Sequence, residues 1–246
     1  MRRDEPGPTR MAVPYYAQWA TPALVPQIVT GEITADCDPL WRTWGAATKE
    51  EYTFWSWRTC GVACLRMVLD FALGERPTAK SLKDDCLSIG AYVMKPDYVH
   101  GLVYSPFVEY VHDRWNMKAS VETELRSRAV AETVSMGSLV MLSVHPSIRN
   151  PACTPLHRGG HLVLVVGQWR DGLLLHNPSG DSDSQQYAPV TFEALERFSA
   201  GRGVVFEVDD HRQKDQGGRH LPVAADGVRA AWAAQGRPEG RAELSK

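Results

Sequence analysis

Cysteine is scarce in this chain of 246 residues. The five present, Cys37, Cys60, Cys64, Cys86 and Cys153, are odd in number and include no Cys-x-x-Cys pair. A disulfide framework of the small secreted kind is thereby excluded. No charge dominates: 27 Lys plus Arg stand against 29 Asp plus Glu, a formal charge of −2. No global field draws such a chain to nucleic acid or to acidic membranes. Long apolar runs are missing. The longest, Leu162 to Val166, has the length of a strand, against the roughly 18 residues a membrane helix requires. Met1 to Arg10 is charged and proline-bearing with no apolar segment behind it, so it does not read as a secretory signal. Met11 reads as the true start, with the preceding residues dispensable. There is no internal repeat and no Gly-x4-Gly-Lys-Ser/Thr phosphate loop. These absences leave a cytosolic protein, with no nucleic-acid or membrane partner and no cofactor or metal expected.

With 43% hydrophobic and 23% charged residues, the chain can bury a core of ordinary size. Periodic signals run from Val13 to Val208, and the composition then shifts to Gln, Gly, Arg and Ala. The expected organisation is one domain over 11–210 and a tail over 211–246, with a short helix near Val228–Gln235. The clearest helix spans Cys60–Leu73, apolar nearly all round and therefore buried. Its two charges, Arg66 and Asp70, stand four apart and can pair. Thr59 is placed to cap its start, and Gly74 with Pro77 to end it. Further helices are expected at Ala79–Leu87, Ser105–Trp115, Val121–Ser135 and near Phe192–Ser199. Strands are expected at Leu139–Val144, His161–Val166, Leu173–Asn177 and Val204–Val208. Helices lead and strands close the chain, which predicts an α+β fold.

Three strings carry chemistry. In Arg58-Thr-Cys60-Gly-Val-Ala-Cys64 a thiol opens the buried helix, where free N–H groups and the helix dipole favour thiolate and predict a lowered pKa. In Gly159-Gly-His161-Leu-Val-Leu-Val-Val-Gly167 a histidine stands at the mouth of an apolar strand. In Leu173-Leu-Leu-His-Asn177-Pro-Ser-Gly180 the next strand ends on an amide, sixteen residues after His161. An amide beside a histidine fixes its tautomer and turns the other ring nitrogen toward a thiol.

Together these strings resemble the papain-like cysteine peptidases, and among them the bacteriocin-processing, double-glycine-cleaving family and its stand-alone relatives. The opening Val13-Pro-Tyr-Tyr-Ala-Gln18-Trp19 resembles that family's start. The resemblance covers about residues 13–208. It implies a papain-like fold with a helical N-terminal part whose buried central helix carries the cysteine, and a C-terminal antiparallel sheet carrying His and Asn. It further implies Cys60 as nucleophile, His161 as general base and acid, Asn177 as the orienting group, and Gln18 with the Cys60 N–H as oxyanion donors. The product would be a thioester acyl-enzyme on a peptide or amide substrate. Two features depart from the pattern. Asparagine stands where the nearer family has aspartate. An insertion of about residues 20–58, rich in tryptophan, separates Gln18 from Cys60, so Gln18 must fold back to reach the thiol.

Other readings of the same residues are plainer. Cys64, Cys37, Cys86 and Cys153 read as inert, His145 and His176 as structural or solvated, and the insertion's tryptophans as core. A zinc site on Cys60, Cys64, His157 and His161 is the weaker reading, because the cysteine spacing is helical. Acyl transfer to an amine uses the same triad and would be favoured by a water-excluding lid over residues 20–58. A non-catalytic peptide-binding relative is the third alternative.

Asp171-Gly172 marks a turn between the His and Asn strands. A regular two-residue turn there puts Asn177 opposite Val166, on the far face from His161. The triad therefore requires a wide loop or a bulge between the two strands.

Overall fold

The structure, a computed structural model, describes residues 9–208 and 220–222. The chain opens with strand β1 (Thr9–Met11), followed by helices α1 (Val25–Thr30), α2 (Lys49–Ser56), α3 (Cys60–Leu73) and α4 (Ala79–Ser88). A hairpin of β2 (Tyr92–Met94) and β3 (Val99–Gly101) leads to α5 (Tyr104–Trp115), β4 (Ala119–Glu122) and α6 (Ser127–Ser135). The remainder is β5 (Leu139–Val144), β6 (His161–Trp169), β7 (Gly172–His176), β8 (Ala188–Thr191), α7 (Phe192–Phe198), β9 (Ser199–Phe206) and β10 (His220–Pro222). Helices lead and an antiparallel sheet closes, in the expected α+β arrangement.

Eight strands share the main sheet in the order β10-β1-β6-β5-β9-β4, with β7 pairing β6 on one edge and β8 on the other. Strands β5, β6 and β7 are buried along nearly their whole length, which is why they read as continuous apolar runs and not as alternations. Helix α3 lies on this sheet with Val62, Cys64, Leu65, Val68 and Leu69 fully buried. Its start approaches β6 closely at Gly61, where a Cβ would stand 3.1 Å from Leu162 and 3.0 Å from Leu102. Leu162 in turn offers its carbonyl to Cys64 Sγ at 3.7 Å. Gly74, at φ 71°, closes the helix as a left-handed cap.

Several local expectations are corrected. Thr59 does not cap α3: its side chain bonds no helix N–H, and its hydroxyl is buried without a partner among the described residues. Arg66 and Asp70 do not pair; Asp70 takes Arg76 at 3.0 Å and the Tyr16 hydroxyl at 2.7 Å, while Arg66 donates to the Pro77 carbonyl. The expected helix over Val121–Ser135 forms only from Ser127. The residues before it are drawn into β4 by pairing with β9, from Ala119 opposite Phe206 to Glu122 opposite Gly203, a long-range partner that overrides local preference. Thr9 and Arg10, read as dispensable, pair with Gln168 and Gly167 of β6. Part of the expected tail, His220–Pro222, pairs with β1. The helix expected near Val228–Gln235 lies outside the described residues.

Residues 20–58 form short helices around one buried carboxylate. Asp38 accepts from Tyr52 Oη and Thr21 Oγ1, both at 2.5 Å, and from the Thr21 and Leu40 N–H groups at 3.0 and 2.9 Å. Trp44 and Trp55 are buried in the core as expected, whereas Trp57 is 45% exposed.

Candidate active site

Cys60 is the first residue of α3 and His161 the first of β6, and both line one cleft of about 280 Å³. The cleft is closed by Arg58, Leu102, Tyr104, Ser143 and Arg202, among others. The backbone N–H groups of Leu162, Gly61 and Cys60 itself act on the thiol and favour its thiolate, as a helix start should. Burial is nevertheless the larger effect, and it raises the Cys60 pKa above its ordinary value. The expectation of a lowered pKa is therefore corrected: desolvation of a lone thiolate outweighs three N–H donors. Burial also acts on His161, holding its pKa down to about 4 against the favourable hydrogen bond that its ring N–H donates to Asn177 Oδ1. Taken singly, the two groups are a thiol and a neutral imidazole.

Asn177 stands behind His161, its Oδ1 at 2.8 Å from His161 Nε2. The register explains the meeting. Strands β6 and β7 pair Trp169 with Gly172 and Gln168 with Leu173 through a tight turn at Arg170-Asp171. Between Val165 and Gly167 the register then slips, leaving Val166 as an extra residue. Beyond the bulge Leu164 opposes His176, so Asn177 continues onto the face that carries His161. The bulge required by the triad is present. The tight turn, expected to be absent, coexists with it because the bulge alone reverses the facing.

The amide is firmly held. Asn177 N–H donates to the Gln185 carbonyl at 2.8 Å, and the Asn177 carbonyl accepts from Tyr15 Oη at 2.8 Å. Its Oδ1 also accepts from the Ser179 N–H at 3.2 Å, an Asx turn across Pro178. With Oδ1 an acceptor, His161 carries its proton on Nε2, and Nδ1 is the basic nitrogen. Ser179 was not singled out in the sequence. Its Oγ lies 3.2 Å from His161 Nε2 and accepts from Arg149 Nη2 at 2.7 Å, while Arg149 Nε bonds the Ser179 carbonyl. The string Asn-Pro-Ser carried a readable signal for the turn. Arg149, thirty positions away, carried none.

Gln18 is buried at 3% exposure. Its backbone N–H donates to the Pro178 carbonyl and its side-chain Nε2 to the Ser56 carbonyl, both at 2.8 Å, while its own carbonyl accepts from Trp44 Nε1 at 3.0 Å. It thus folds back across the insertion and bridges the turn after Asn177 to the end of α2, four residues before Cys60. It does not itself line the cleft. His176 faces away from Asn177 and is buried edge-on between the rings of Tyr15 and Tyr187, at 5.6 and 4.5 Å. His145 packs edge-on against His157 at 4.5 Å. Cys64 and Cys86 are buried free thiols.

A sequence model of the Peptidase_C39 like family matches residues 11–203. The chain belongs to that family. This C39-like chain is also similar to a crystal structure described as that of a C39-like peptidase from Bacillus anthracis, at 14% identity and a TM-score of 0.47, over 61% of this chain and 88% of the other. No curated protein matches it. Among the described residues no helix is long and apolar enough to cross a membrane.

Proposed function

We propose that this C39-like chain is a cysteine hydrolase that cleaves a peptide or amide bond through Cys60, His161 and Asn177. The observation that carries the reading is the shared cleft of Cys60 and His161, with Asn177 Oδ1 2.8 Å behind the imidazole. In this mechanism His161 Nδ1 takes the Cys60 proton as Sγ attacks the carbonyl carbon. Burial opposes either charge alone, but the transfer creates the two opposite charges together in a low-dielectric site. The leaving amine takes the proton back from His161, a thioester remains, and water activated by the same imidazole releases the acid. Gln18 and the Cys60 N–H are the proposed oxyanion donors. Gln18 Nε2 spends one of its two N–H groups on Ser56 and keeps the other.

Hydrolysis is favoured over transfer to an amine by one feature. Of the residues 20–58, only Arg58 lines the cleft, so the insertion builds no lid that would exclude water. Purified protein assayed against a peptide library should show turnover that Cys60→Ala and Cys60→Ser abolish with the fold intact by circular dichroism. Turnover retained by Cys60→Ala would overturn the assignment.

A further inference from the structure

The cleft beside Cys60 is cationic although the chain as a whole is slightly acidic. Among the described residues, Arg58 and Arg202 are the only permanently charged ones that line it, and no carboxylate does. Tyr104, Cys60 and His161 are the other titratable groups facing the space.

Both arginines are held in place by contacts that leave their charge uncompensated. Arg58 Nη1 donates to the Phe54 carbonyl at 2.5 Å, and its guanidinium carbon lies over the Phe54 ring, 3.9 Å from the centroid. Arg202 stands between Gly201 and Gly203 on β9, reaches over Gly159, and interacts with the Tyr104 hydroxyl beside Ser143. Among the described residues no carboxylate oxygen comes within ion-pairing distance of either. Two like charges on one concavity repel each other and focus a positive field into it. Each guanidinium has five N–H donors in a fixed fork, the geometry that matches a carboxylate.

We infer that the cleft selects a substrate carrying a carboxylate close to the scissile bond, with Arg58 and Arg202 as the specificity-determining residues. The inference rests on Cys60 being the nucleophile. The carboxylate could be an acidic side chain or a free chain terminus, since both offer the same group to a guanidinium.

Alkylation of Cys60, followed by mass spectrometry of its peptide, tests both levels. The thiolate displaces iodide, the C–S bond forms, and the proton leaves to His161 or solvent. Iodoacetate and iodoacetamide are close in size and differ in charge, so the ratio of their rates, normalised to the ratio for glutathione to remove their intrinsic reactivities, reads the local field. The ratio should exceed one in the parent protein. It should fall about three- to tenfold in each of Arg58→Gln and Arg202→Gln, the effect of one charge several ångströms away at intermediate dielectric. Arg202→Glu, at an exposed position, should lower it further, and rising salt should flatten every difference. N-iodoacetyl-Glu amide and N-iodoacetyl-Gln with a free carboxyl, compared with neutral N-iodoacetyl-Gln amide, separate the side-chain source from the terminal one. A Cys60 that reacts with no charge preference, or whose preference survives both glutamine variants, overturns the specificity assignment and leaves the hydrolase reading standing. Equal slowing of both reagents in the arginine variants also overturns it, since the arginines would then be tuning the thiol and not the ligand. A Cys60 inert to all these reagents overturns both.

Discussion

At the scale of single residues, what distinguishes this site is how much surrounds the Asn177 amide. Its backbone is fixed by Gln185 and Tyr15, and its Oδ1 is shared between His161 Nε2 and the Ser179 N–H. The imidazole is therefore oriented by two side chains, Asn177 and Ser179, the second anchored by Arg149. Under the proposed mechanism Asn177→Ala should lose more activity than Asn177→Asp. A carboxylate still accepts from Nε2–H, whereas alanine frees the ring to rotate. Ser179→Ala should cost less than either, about three- to tenfold in kcat for one lost neutral hydrogen bond of roughly 1 kcal/mol. Steady-state kinetics of the three variants check the order, and a Ser179→Ala loss as large as that of Asn177→Ala would move the orienting role to Ser179. That Cys60 and His161 share a cleft and that Asn177 meets the imidazole was legible because each sits at a signal: a helix start, a strand mouth, a strand end. Ser179 was half-legible from its Asx turn, and Arg149 was hidden because nothing local relates it to the site.

At the scale of elements, local pattern located α3, α4, β5, β6 and β7 closely, since α3 and the three strands are apolar runs bounded by Gly, Pro or a polar turn, and α4 is an amphipathic stretch opened by the Thr78 cap. It failed where a distant partner decides. Strand β4 exists because β9 is there to pair with it. Strand β8 is four residues containing a proline and is defined by β7 alone. The insertion is the largest case. Its short helices have weak periodicity, and its order comes from Asp38 collecting four donors from three places in the chain. Asp38→Asn keeps the shape but exchanges acceptor capacity for two donors at a position 1% exposed. Hydrogen bonds to a charged acceptor contribute about 1.5–3 kcal/mol each, so a total loss of about 2–4 kcal/mol is expected. That corresponds to a Tm lowered by roughly 5–15 °C for a chain of this size, readable by calorimetry. Because the same segment holds Gln18 through Ser56 and Trp44, kcat should fall with it. An unchanged Tm would show that the insertion is ordered by its tryptophans alone.

At the scale of the whole molecule, burial of histidine makes stability depend on pH in a stated direction. Burial holds His161 down to about 4 and His176 to about 3, and it lowers His145 as well. An unfolded histidine titrates near 6.5. As pH falls through that value the unfolded chain takes up protons that the folded chain refuses, so the stability fully present above about 6.5 is progressively lost. His161 and His176 each contribute a slope of about 1.4 kcal/mol per pH unit until they protonate within the fold. Glu51, Asp84 and Glu196, whose pKa values are lowered, add loss of the same sign only in the carboxylate range below. The interval from pH 6 to 5 therefore belongs to the histidines. His176 isolates the effect, since it is fully buried, away from the cleft, and neither ring nitrogen has a partner among the described residues. His176→Leu removes an unsatisfied polar ring from between two tyrosines, so stability at pH 7 should be unchanged or higher. Relative to the parent it should then gain about 1.4 kcal/mol for each pH unit between 6 and 4. Urea unfolding at pH 7, 6, 5 and 4 measures this directly. Parallel pH profiles for parent and variant would mean that His176 is protonated, and therefore hydrated, within the fold.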